Sequence, residues 1–130
     1  MALTAEEAIK RAEKVIEKAG ADYDSRLAQL FADLNKAVGE DDRKGGIVIA
    51  HRIKGEAGMF GWPLVSVVAG WLRQLLEAGK GPCATEVVRL HLETLRMLVA
   101  NDLRGEAPAG QKVIRELYAV VEKQGLIPAS

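Results

Sequence analysis

The stretch Ala50-His51-Arg52-Ile53-Lys54-Gly55-Glu56-Ala57-Gly58-Met59-Phe60-Gly61 reads as a helix carrying glycines that a helix normally avoids. Each glycine inside a helix costs about 1 kcal/mol relative to alanine, so a cluster of them around one histidine needs a reason. At about 100° per residue, Lys54, Gly55 and Gly58 fall on the side of His51, whereas Ile49, Ile53, Ala57 and Phe60 fall on the other. The apolar face is committed to a core, and the histidine faces outward between a lysine and bare backbone. Such a histidine is placed for another molecule to reach.

Helical periodicity continues on both sides of this stretch, with no alternating strand pattern. Thr4 and Glu7 form a capping-box pair, followed by Ala8, Ile9, Ala12, Val15, Ile16 and Ala19 at helical spacing, and Gly20 is expected to stop that run. A second helix is expected from Asp22 or Asp24, with a stripe of Tyr23, Leu27, Leu30, Phe31, Leu34 and Val38 ending at Gly39. Asp41 or Asp42 caps the third helix, whose first turns are weakened by Gly45-Gly46. Gly61-Trp62-Pro63 breaks the chain, and Pro63 opens a fourth helix running to about Ala78. A fifth runs from about Ala84 to Leu103, and a last one carries Val113, Ile114, Leu117, Val120 and Val121, closed by Gly125. The pattern predicts a single all-α domain over residues 1–130. It is an antiparallel four-helix bundle built from the second to fifth helices, with additional N- and C-terminal helices.

Composition narrows the function classes. Eighteen basic residues balance eighteen acidic ones, so no global field points to nucleic acid or an anionic membrane as partner. The longest apolar run, Leu64 to Leu72, is far short of the roughly 20 residues that cross a bilayer. The N-terminus lacks a basic segment followed by an apolar run, so no secretory signal is expected. Cys83, the single cysteine, has no partner for an internal disulfide, which fits a reducing cytoplasm. A monomer is expected, because no heptad seam is evident beyond the bundle stripes.

An exposed neutral imidazole is a good nucleophile near neutral pH, since its ordinary pKa of about 6.5 leaves one ring nitrogen bare. Attack on a phosphoryl group would need space beside the ring, which Gly55 and Gly58 supply by lacking side chains. It would also need positive charge near the developing oxyanions, within reach of Lys54 three residues on. Close docking of a partner would use Ile47, Val48 and Met59 as an apolar flank, with Arg43, Lys44 and Arg52 as a polar rim.

The stretch from His51 to Gly61 resembles the signature of histidine-containing phosphotransfer (HPt) domains: His, any residue, an aliphatic, Lys, Gly, small residues, and a Gly ten residues after the His. That resemblance implies a helical bundle that relays a phosphoryl group between receiver-domain aspartates in two-component signalling, without kinase activity of its own. It implies that His51 is the phosphoacceptor through Nε2, Lys54 the electrostatic partner of the phosphoryl group, and Gly55 the clearance position. Gly58 and Arg52 join the docking surface, and Gly61 allows the turn to the next helix. The partners are receiver domains of response regulators or hybrid histidine kinases. The chain itself needs no cofactor, with Mg2+ expected on the receiver. Two departures stand out: Glu56 replaces a small residue, and Leu72 is followed by Arg73 where members often have Glu.

Other residues read more plainly. His91 lies at the edge of an apolar stripe without a Lys-Gly context and is read as structural or surface. Cys83 lacks a base partner, and Trp62 and Trp71 read as packing anchors. Two rival functions remain: an HPt-like docking module that binds a receiver without transfer, and a histidine kinase fragment. No glycine-rich nucleotide-binding region follows the histidine, and Arg52 stands where a kinase would place an acid.

Overall fold

The computed structural model describes residues 4–123. Among them five helices and no strand are present: α1 Ala5–Gly39, α2 Arg43–Ala57, α3 Pro63–Ala78, α4 Glu86–Ala100 and α5 Pro108–Lys123. Thr4 caps α1, its hydroxyl accepting from the Glu7 N–H at 3.1 Å. Gly125 lies outside the described residues.

The expected break at Gly20 is absent, and the first two predicted helices are one helix of 35 residues. A lone glycine costs only about 1 kcal/mol, less than starting a new helix, so an established helix propagates through it. Asp24, expected as a cap, has another role. Its carboxylate accepts from the Trp62 indole N–H at 2.7 Å and pairs with Arg104 at 3.5 Å.

The second half of α1 joins α2, α3 and α4 in a closed four-helix ring, and α5 lies against α3 and α4. Leu27, Leu34, Ile53, Val65, Val68, Leu72, Leu76, Leu95 and Leu98 fill its centre, essentially without solvent exposure. Residues 5–18 of α1 project beyond this ring and are exposed throughout, Ile9, Val15 and Ile16 included. They form a spare apolar stripe, which removes the ground on which a monomer was expected.

Each end of the ring is tied by polar contacts. At one end Gly61, at φ +90°, makes the α2–α3 turn, buried Trp62 follows, and the Arg104 guanidinium sits 3.8 Å from the Trp62 ring centroid. At the other end Asp42 caps α2 by accepting from the Gly45 N–H at 3.0 Å. A Cβ at Gly45 would collide with that carboxylate, and one at Gly46 would stand 3.2 Å from Leu76 of α3. The glycine pair therefore serves the cap and the close approach of α3. Asp41 accepts the Cys83 N–H at 2.8 Å, and Arg43 donates to the carbonyls of Leu76 and Gly81. Burial first, and the hydrogen bond to Asp41 second, push the Cys83 thiol up, so the sulfur is a packing atom.

His91 is fully buried on α4. Its Nδ1–H donates to the Val87 carbonyl at 2.8 Å, while Nε2 has no partner. Burial holds its pKa below the ordinary histidine value.

Two outcomes follow for stability. Leu27→Ala should cost about 2–5 kcal/mol in denaturant unfolding. Ile16→Ala, on the projecting part of α1, should cost less than about 0.5 kcal/mol, and comparable losses would mean that the stripe is covered. For His91, the unfolded chain takes up a proton below about pH 6.5 while the folded chain resists it, so stability should fall as pH drops below that value. His91→Leu should flatten this segment of the melting-temperature profile. An unaltered slope would assign the pH dependence to other groups.

Candidate functional site

The site is the outward face of α2. Ala50, Ile53 and Ala57 are fully buried, which fixes the rotation of the helix about its axis. His51 is thereby turned to solvent with Lys54 and Gly55, three and four residues on. A Cβ built on Gly55 meets nothing within 4 Å. The space beside the histidine is therefore open, and the missing side chain is not required by packing within the chain.

Lys54 is steadied from the neighbouring helix. Its Cδ and Cε lie 3.2 and 3.4 Å from where a Cβ on Gly70 of α3 would stand, so the lysine stem crosses α3 over bare backbone. One turn away, Ser66 donates to the Lys54 carbonyl at 2.6 Å, which satisfies an acceptor near the end of α2. Gly58, grouped at first with the docking surface, stands against this serine, with Ser66 Oγ 3.6 Å from its Cβ position. Neither Gly70 nor Ser66 was singled out from the sequence. The available signal was a glycine in the middle of an otherwise apolar helix, which usually has a packing reason.

Arg73 was read as a departure from a family pattern, and the fold gives it a place in the site. Its Nη1 lies 3.4 Å from His51 Nδ1 and 3.8 Å from the Glu77 carboxylate one turn on. Its Nε is buried without a partner. Arginine can only donate, so Nδ1 accepts and the ring's Nδ1 edge faces α3. Periodicity places Arg73 on α3, but only the packing of α3 on α2 brings it to the histidine.

The predicted flank is narrower than expected. Val48 and Met59 are 67% and 76% exposed, but Ile47 is half-buried and packs on the core. Val67, three residues before Gly70 on α3, is exposed and adds apolar surface missed in the sequence. The polar rim also changes. Arg43 is committed to the α3–α4 connection, and Arg52 pairs with Glu56 at 3.4 Å, which in turn meets Arg26 of α1 at 3.6 Å. Glu56 is thus directed toward α1, away from the histidine. Near it, burial and then the charge of Glu56 push the Tyr23 hydroxyl up to about 12. Lys44 remains exposed on the first turn of α2.

The arrangement offers an accessible ring nitrogen, a cation beside it and clear space, the needs of nucleophilic transfer to a group presented from outside. Among the described residues no three His, Cys, Asp or Glu side chains converge as a metal site. No helix there is long and apolar enough to cross a membrane. Comparison with curated proteins and with solved structures returned no match. A family model for the Hpt domain matches residues 21–117, which span the four-helix ring, His51 and Arg73 and leave out the projecting start of α1. Covering most of the chain in one match, on an all-helical bundle with an outward histidine, it shows that the chain belongs to the Hpt-domain family, whose members are phosphotransfer modules of phosphorelays.

Proposed function

We propose that this chain is a phosphorelay carrier in which His51 takes a phosphoryl group from a receiver-domain aspartyl phosphate and passes it to the aspartate of another receiver. The observation that carries the reading is the exposed histidine beside a glycine whose missing side chain leaves open space, on a helix otherwise held by its buried face. Nδ1 faces Arg73, so Nε2 is the ring nitrogen left for the incoming phosphorus.

In the accepting step the Nε2 lone pair attacks phosphorus and forms the N–P bond. The P–O bond to the aspartate breaks and its electrons return to the carboxylate. One proton leaves the imidazole for water. Lys54 stabilises the charge on the phosphoryl oxygens, and Val48, Met59 and Val67 receive the apolar surface of the receiver. The Mg2+ ion belongs to the receiver, and this chain contributes position and charge. A reducing cytoplasm is the compartment this reading implies.

A receiver carrying labelled phosphoryl should transfer the label to the chain, and His51→Gln should abolish the transfer while circular dichroism shows an intact bundle. Receiver binding without label on the wild type would leave the docking-module reading in its place. Lys54→Ala should slow transfer about tenfold, less than the loss of an enclosed oxyanion donor, because the lysine is exposed. Gly55→Val should fold normally, since nothing within the chain meets the new side chain, yet it should bind the receiver at least about tenfold more weakly. Unchanged binding would remove the clearance role.

A further inference from the structure

We propose that Arg73 is a two-position latch on the carrier histidine: it donates to Nδ1 in the resting and phosphorylated states, turns to Glu77 during transfer, and so retains the phosphoryl group between partners. This inference rests on the carrier reading above and adds to it how the phosphorylated form is kept.

Three observations converge on it. Arg73 Nη1 stands between two acceptors, His51 Nδ1 at 3.4 Å and Glu77 Oε1 at 3.8 Å. The arginine side chain is about three-quarters buried, with its Nε enclosed and unpartnered, so its stem is held while its tip has a choice. Among the described residues, the charged groups of the site are Lys54 on α2 and Arg73 and Glu77 on α3, and Arg73 is hydrogen-bonded to a ring nitrogen.

The chemistry then follows. A cationic donor at Nδ1 requires a bare lone pair there, so the resting neutral ring carries its proton on Nε2. Attack needs the Nε2 pair. The proton therefore exchanges through water to Nδ1 while Arg73 turns to Glu77. Nε2 attacks phosphorus, the P–O bond to the aspartate breaks with its electrons going to the carboxylate, and the Nδ1 proton leaves to water. Arg73 returns to the bare Nδ1. Loss of the phosphoryl group to water forms a P–O bond from water and breaks the N–P bond. The electrons of that bond return to the ring, and one proton of the water ends on it. A protonated Nδ1 makes the ring the better leaving group, and Arg73 competes with the proton for that lone pair.

The test uses the full chain labelled at His51 with phosphoramidate, and needs no receiver. Arg73→Met should lose its phosphoryl group to water about three- to tenfold faster than wild type, the range expected for one hydrogen bond, and Arg73→Lys should recover part of the lifetime. In the unphosphorylated proteins, long-range 15N NMR of the imidazole should show a hydrogen bond accepted at Nδ1, lost in Arg73→Met and kept in Arg73→Lys. An Nδ1 resonance that does not move, or phosphoryl loss that is unchanged or slower in Arg73→Met, overturns the proposal. Labelled proteins with equal lifetimes leave the carrier reading standing, whereas a His51 that takes no label in any of them removes both.

Discussion

The close seating of α2 on α3 is the constraint from which the rest of this structure follows. Leu76 of α3 reaches the bare backbone of Gly46, the Lys54 stem crosses the bare backbone of Gly70, and Ser66 bonds the Lys54 carbonyl. These contacts set both the separation and the rotation of the two helices. With Ala50, Ile53 and Ala57 sealed in the core, the opposite face of α2 has no neighbour to cover it. An exposed histidine on a well-packed helix is then a consequence of helix packing, and needs no loop to present it. Small residues on α2 and α3 thus do two different things. Gly46 and Gly70 bring helices and side chains together, while Gly55 keeps a space empty.

Much of this was legible in advance, for a definite reason. The buried face of α2 repeats at helical spacing, so the exposure of His51, Lys54 and Gly55 follows from Ile53 and Ala57 alone. The Pro63 start, the Asp42 cap and the Gly61 turn are local signals and stand where local chemistry puts them. Contacts made across the bundle were not legible. Asp24 looks like a cap until Trp62 and Arg104 arrive from distant parts of the chain. Arg43 looks like a free cation until the α3–α4 connection folds over it. Arg73 looks like a break in a pattern until α3 lies beside His51. The fusion of the first two predicted helices has a related cause. A glycine signals a stop only when a cap or a change of direction accompanies it, and here the helix runs straight on.

The distribution of charge along α2 separates structure from chemistry. Arg52 and Glu56 turn toward α1 and close an exposed chain of ion pairs with Arg26, of the kind that contributes little to stability. Lys54 turns the other way, toward α3, where Arg73 already stands. Two cations therefore border the histidine on one side, without an acid between them except Glu77, which engages Arg73. Such a grouping is uncomfortable in isolation and becomes favourable when a doubly charged phosphoryl group is added. On the proposed carrier reading, the site would be electrostatically complementary to a phosphorylated His51 more than to the resting one. That asymmetry supports the proposed carrier role, because a carrier must hold its cargo between one partner and the next.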